Sequence, residues 1–162
     1  MRTITVLAFV AFFSAACTQP KPQEEVFSVE NVLLPLEPPL TPRSVQSRAI
    51  RTLGPPFDDS VSLRSIRLLK AEIGNPDFPN LHFAKEIRFS LIDPDGKIIP
   101  IAVSGDIPPN TASISLNPVG KPDLTRVFQQ KKLDMLLEVD NTLISDQGIM
   151  LIGSFEFAYL EK

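Results

Sequence analysis

The feature that most constrains the fold is a series of short segments in which apolar and polar residues alternate, separated by clusters of Pro, Gly, Asn and Asp. Alternation with a period of two places one set of side chains on each face of a β-strand. The segments that show this pattern, or an ambiguous form of it at residues 44–53, are residues 25–31, 44–53, 60–73, 86–92, 99–103, 113–117, 133–139 and 149–162. The pattern predicts seven or eight strands, with a short helix as the alternative for residues 44–53.

Proline restricts the first third of the chain. Eight of the 16 prolines come before residue 57, and proline blocks helix interiors and removes a backbone donor. We therefore expect this part to be extended, in turns or along a sheet edge. The strand at residues 25–31 is predicted at an edge, and residues 33–40 are predicted to be irregular.

Three local signals refine this prediction. Asp93-Pro94-Asp95-Gly96 lies between two alternating segments and predicts a β-hairpin turn in which Gly96 takes a positive φ. The inward parity changes near Ser65, which indicates a β-bulge. Apolar residues three and four apart predict one or two helical turns over residues 123–130, with Asp123 as the N-cap.

Strands joined by turns, with at most one short helix, favour an antiparallel sandwich or barrel. We predict an all-β fold, an immunoglobulin-like antiparallel β-sandwich formed by residues 24–162. The chain of 162 residues contains one Cys and no Trp, so neither a disulfide nor a buried indole is available to the core. The 11 Phe residues and the aliphatic residues must therefore fill it.

The N-terminus has the pattern of a secretion signal. Arg2 is followed by an almost wholly apolar stretch over residues 3–13, about half of the ~20 residues that a membrane-spanning helix needs. Ser14-Ala15-Ala16-Cys17 then resembles the lipobox of bacterial lipoproteins, with Ser14 where an aliphatic residue is usual. An ordinary signal cleaved after Ala16, or a buried thiol at position 17, are the alternatives.

The lipoprotein resemblance implies a signal peptide over residues 1–16 and a lipidated tether over residues 17–23. Cys17 would carry a diacylglyceryl thioether and become the new N-terminus, anchoring the protein to a membrane. Thr18 in place of Asp at the next position implies sorting to the bacterial outer membrane. The strand-rich remainder resembles the small β-sandwich domains of bacterial surface lipoproteins of unassigned function, and no catalytic residue comes with that resemblance.

Candidate chemistry outside Cys17 is sparse. His82 is the sole imidazole and lies between two apolar neighbours, which is typical of a surface or loop histidine. Three pairs of carboxylates fit turns and a solvated strand face, namely Asp58/Asp59, Asp93/Asp95 and Asp134/Glu138. Asp93, Asp95 and Gly96 also resemble the opening of a calcium loop. Asp58, Asp59 or Asp106 could complete such a site in space. We therefore predict no catalytic residue, no metal and no cofactor.

Charge gives a weaker signal about partners. The net charge of −3 disfavours nucleic acid as a partner. Arg126, Lys131 and Lys132 form the densest basic spot, which is typical of solvation and also suits anionic headgroups.

Three functions remain consistent with the sequence. The first is a lipid-anchored, non-enzymatic domain that binds a protein or another envelope component, with strand addition as one mode of contact. The second is a periplasmic carrier or chaperone for a lipid or another apolar ligand, which needs an apolar cavity. The third is an envelope enzyme that uses converging surface carboxylates. We predict the first.

Overall fold

The computed structural model describes residues 23–38, 40, 47–54, 56–58, 60–76, 80–142 and 145–162, except for the side chains of residues 47–49. The described chain forms eight strands and one short helix. In chain order these are β1 (Glu25–Leu36), β2 (Ser47–Leu53), β3 (Leu63–Gly74), β4 (Ala84–Ile92), β5 (Ile98–Val103), β6 (Ser113–Pro118), α1 (Thr125–Phe128), β7 (Leu133–Asn141) and β8 (Ile149–Glu161).

The strands form one antiparallel sheet in the order β1-β8-β3-β6-β5-β4-β7-β2. Strand β6 joins its two halves: it pairs with β3 as far as Leu116 and then with β5 through Asn117 and Pro118. The end strands β1 and β2 approach each other to within 8 Å between Cα atoms, which nearly closes the sheet. The predicted all-β antiparallel class is therefore confirmed. The two layers are the two halves of one continuous, barrel-like sheet.

The core lies between the two halves of the sheet and contains the inward side chains of most strands. Phe89 of β4 and Phe155 of β8 stack at its centre, with ring centroids 4.0 Å apart and planes 20° apart. Both rings are almost fully buried. A Cβ atom on Gly153 would lie only 2.7 Å from the ring of Phe155, so this position requires glycine.

Strand β1 corrects the prediction for residues 33–40. The strand continues through Pro35 to Leu36, and the Cα of Pro35 is opposite that of Met150. Proline is tolerated here because β1 ends the sheet and its outer edge needs no ladder hydrogen bond from this residue. The predicted edge position of the first strand is thus confirmed.

The structure confirms two further local predictions. The bulge near Ser65 is confirmed by a shift in the β3–β8 register between Leu63 and Ser65. The hairpin turn is confirmed, with Gly96 at φ 79° and its N–H donating to the carbonyl of Asp93 at 2.9 Å. Residues 47–53 form a strand, which decides between strand and helix for this part of the segment, and residues 44–46 lie outside the described residues.

The helix prediction is correct in place and too long. Helix α1 spans Thr125–Phe128, and its N-cap is Leu124 instead of Asp123. The carboxylate of Asp123, one residue before the N-cap, still accepts a hydrogen bond of 3.0 Å from the N–H of Thr125. The side chain therefore satisfies a first-turn donor from a neighbouring position.

The stacked pair predicts a large effect on stability. Phe155→Ala should lower the free energy of unfolding by about 3–5 kcal/mol, because it removes a buried ring and leaves a cavity against Phe89. Chemical denaturation followed by circular dichroism measures this change. Ile50→Ala is the control, since 62% of that side chain is exposed, and its effect should stay within about 0.5 kcal/mol. Equal losses for the two variants would contradict the assigned core.

Candidate functional site

One end of the barrel receives the N-terminal part of the chain. Strand β1 begins there with Glu25 opposite Tyr159 of β8, and β3 begins there with Leu63 opposite Glu161. We call this end of the barrel the Glu25 end. Residues 1–22, including Ser14 and Cys17, lie outside the described residues, so the signal peptide and the lipidation of Cys17 remain predictions.

The first described residues are held to the barrel by side-chain contacts. Glu24 accepts two hydrogen bonds from the guanidinium of Arg67, at 3.1 Å from Nε and 2.8 Å from Nη2. This fork-to-fork geometry lowers the pKa of the Glu24 carboxyl, chiefly through the hydrogen bonding. Next to it, the hydroxyl of Tyr159 donates to Glu25 Oε2 at 2.6 Å. Both contacts fix the point at which the chain enters β1.

The contact between Tyr159 and Glu25 gives a spectroscopic prediction. The hydrogen bond to Glu25 raises the pKa of Tyr159 to about 12. The folded pKa lies above the ordinary value of 10, so the contribution to stability is complete below pH 10 and is lost as the pH rises towards 12. Tyr159 is the single tyrosine in a chain without tryptophan, so tyrosinate absorbance reports it alone.

We expect the native protein to titrate near pH 12 and Glu25→Gln to titrate at lower pH, nearer the ordinary tyrosine value. Glu156→Gln on the same strand is the matched control and should leave the titration unchanged. A native titration at the unfolded value would contradict the contact, provided that circular dichroism shows the fold intact.

An aromatic cluster fills the Glu25 end. Phe27, Phe57, Phe128, Phe157 and Tyr159 contact one another with centroid distances of 4.9 to 6.3 Å, mostly edge to face. A cleft of about 310 Å³ lies beside them, and its rim is polar. The lining residues are Phe57, Asp58, Ser60, Val61, Ser62, Leu63, Phe128, Gln129 and Gln130.

A second cleft opens where β6 leaves β3. Its volume is about 190 Å³, and we call it the wedge. The residues that line it are Arg67, Leu68, Leu69, Ile101, Pro118, Val119, Gly120, Lys121, Pro122 and Leu124. Apolar side chains form most of its wall, and the charged residues in it are both cations. The sequence pattern did not indicate this site, because it depends on one strand changing partners.

The candidate carboxylates have local structural partners. Asp134 accepts a hydrogen bond from the hydroxyl of Thr52 and forms an ion pair with Lys132 at 3.2 Å. Both contacts lower the pKa of Asp134, and the hydrogen bond from Thr52 lowers it most. Glu138 lies further along the same strand and is also engaged in an interaction. A general base near neutral pH requires a carboxyl pKa that is raised. The lowered pKa of Asp134 therefore fits a structural role.

The other carboxylates lie in turns or on exposed loops. Asp93 accepts the N–H groups of Asp95 and Lys97 at 2.9 and 2.8 Å, as its turn requires. Asp58 accepts the N–H of Ser60, and Asp106 is exposed, whereas Asp59 lies outside the described residues. In the described part of the chain, no group of three or more His, Cys, Asp or Glu side chains is arranged to hold a metal ion.

His82 and the basic spot are exposed. The backbone N–H of His82 donates to the side chain of Asn80, and its neighbours Leu81 and Phe83 are buried. Arg126 forms an ion pair with Asp95 at 2.9 Å, while Lys132 pairs with Asp134. Within the described ranges, two of the three basic residues of this spot are thus paired with carboxylates.

Comparisons with known proteins add no assignment. No protein-family model matches the sequence, and no curated protein matches it. Among the described residues, none of the helices has the length and apolar character to cross a membrane.

Proposed function

We propose that this chain is a lipid-anchored protein of the bacterial outer membrane, whose β-domain binds a protein or another envelope component without catalysing a reaction. Cys17 is the anchor in this proposal. The observation on which the binding role depends is that the end strands β1 and β2 expose large apolar side chains. Exposed apolar side chains that lie together mark surfaces that bind other proteins.

The anchor is supported by the position of Cys17 relative to the fold. Glu24, which Arg67 holds at the barrel, is seven residue steps along the chain from Cys17. An extended chain spans at most ~3.3–3.6 Å per residue, so Cys17 is within about 25 Å of this contact. A lipid on Cys17 would therefore keep the Glu25 end close to the membrane and direct the opposite end away from it.

The binding role is supported by the exposed apolar residues of the two end strands. Val26 and Leu33 of β1 are 55% and 48% exposed, and Ile50 of β2 is 62% exposed. These strands pair with β8 and β7 respectively and with no other described strand. Where β1 and β2 approach each other to within 8 Å between Cα atoms, no further strand fits between them, so the exposed apolar side chains provide the contact area for a partner.

The alternative role as a carrier of an apolar ligand has less support. The space between the two halves of the sheet is filled by stacked and interlocking rings, among them Phe89 and Phe155. The clefts described above open at the surface, and the more apolar of them, the wedge, has only about 190 Å³. Ligand sites that enclose drug-sized molecules have about 300–1,000 Å³. A carrier would need a larger apolar cavity than the wedge.

Mass spectrometry of the mature protein tests the anchor. The full chain expressed in a bacterium should yield an N-terminal Cys17 with a diacylglyceryl group, recovered in the membrane fraction. Cys17→Ser should be unmodified and lose this lipid-dependent recovery, because without acyl chains the fold has no lipid to insert. Thr18→Ser is the matched control and should behave as the wild type. An unmodified thiol at position 17, or cleavage after Ala16 without lipid, would overturn the anchor.

Cross-linking in intact cells tests the binding role. A photoreactive residue in place of exposed Ile50 or Val26 should trap a discrete envelope partner, whereas one in place of exposed Arg88 on β4, which is paired with β5 on one side and with β7 on the other, should not. Equal labelling from all three positions, or none above background, would contradict partner binding at the end strands.

A further inference from the structure

Strand β3 has an open edge within the sheet. It pairs with β8 along most of its length, but with β6 only from Ala71 to Gly74. Towards its N-terminal half, β6 has left to join β5, and no other described strand replaces it. The edge of β3 at residues 67–69 therefore faces the wedge without a strand partner. An edge of this kind can add an extended peptide through backbone hydrogen bonds.

The wedge beside this edge is suited to an apolar side chain. Leu69, Ile101, Val119 and Leu124 form much of its wall. Its volume of about 190 Å³ equals about six water molecules at their liquid volume. That space holds one large aliphatic or aromatic side chain. Peptides added to a sheet edge commonly place alternate side chains into such pockets, which gives them specificity.

The charges at the wedge favour an acidic ligand. Arg67 and Lys121 line it, and the lining includes no Asp or Glu. The carboxylate of Glu24 already contacts Arg67 as a bidentate pair, which demonstrates that a carboxylate fits the guanidinium beside the wedge. Lys121 is exposed and has no ion-pair partner among the described residues. It is the cation available to a ligand.

We propose that the wedge binds an extended, acidic peptide segment as an added strand on the open edge of β3, with one apolar side chain in the wedge and a carboxylate at Lys121. This inference goes beyond the proposed function, because it adds a peptide site at the wedge, apart from the end strands β1 and β2. A peptide fits better than a lipid. An acyl chain would form no hydrogen bonds with the backbone edge of β3, and it is too long for so small a cleft.

Peptide selection tests the proposal with the protein itself. The purified protein, in phospholipid nanodiscs if it carries lipid, is presented to a library of random dodecapeptides displayed on phage, with empty nanodiscs as the subtraction. Selected sequences should contain an acidic residue close to a large apolar one. Hydrogen exchange should then slow at the amides of residues 67–69 when a selected peptide binds, because strand addition protects that edge.

Two lysine variants provide the matched comparison. Lys121→Glu should weaken binding of the selected peptide by at least about fivefold in fluorescence polarisation, since it replaces an attraction at the site by repulsion. Lys131→Glu makes the same charge change at another exposed lysine on the β6–β7 connection, outside the wedge, and should change affinity less than about twofold. Both positions are exposed, so both variants should keep the fold.

Several outcomes would overturn the proposal. These are failure to enrich any peptide, equal effects of the two lysine variants, and protection on β1 or β2 instead of β3. Displacement of the peptide by monomeric dodecanoate would instead assign the wedge to an anionic amphiphile. Acylation of Cys17 is measured on the same preparation. A lipid-free protein that selects acidic peptides overturns the anchor alone, and an acylated protein that selects none overturns the wedge alone.

Discussion

The stacking of Phe89 on Phe155 determines how closely the two halves of the sheet approach each other. A chain with one Cys and no Trp has no cross-link to hold two layers together, so the spacing depends on side chains that meet in the middle. The pair joins β4 in one half to β8 in the other, and the absence of a side chain at Gly153 leaves room for the ring of Phe155. The aromatic cluster around Phe27 and Phe157 extends the same packing to the Glu25 end.

The sequence predicts the strands well because most of them have one buried and one exposed face. Ile87, Phe89 and Leu91 alternate with polar residues, and all three are fully buried on β4. The turn after β4 was predictable from Asp93 and Gly96, whose conformations are intrinsic to these residues. The continuation of β1 through Pro35 was not predictable, since local rules disfavour proline in a strand and only the edge position permits it. The N-cap at Leu124 was missed for a similar reason, because Asp123 makes its hydrogen bond from outside the cap.

The candidate site was predictable only in part. Alternation identifies the strands, but the order in which they pair depends on contacts between residues far apart in the chain. The wedge arises from that order, because β6 exchanges β3 for β5 after four residues of pairing. Lys121 and Leu69 have no unusual sequence context, and only this exchange brings them to the same cleft. Cys17 is the opposite case, since its significance comes from the neighbouring sequence alone.

The bulge in β1 has a consequence for how this chain tolerates changes in length. Phe27 and Val29 contact the core from odd positions, while Val32, Leu34 and Leu36 do so from even ones, and the extra residue lies between Val29 and Val32, where Asn31 takes a φ of 55°. Loss of one residue at this point would restore regular alternation and leave both halves of the strand facing inward. Loss of one residue on either side would turn the remaining apolar positions outward. A homologous chain that is one residue shorter at this place would therefore have the same interior.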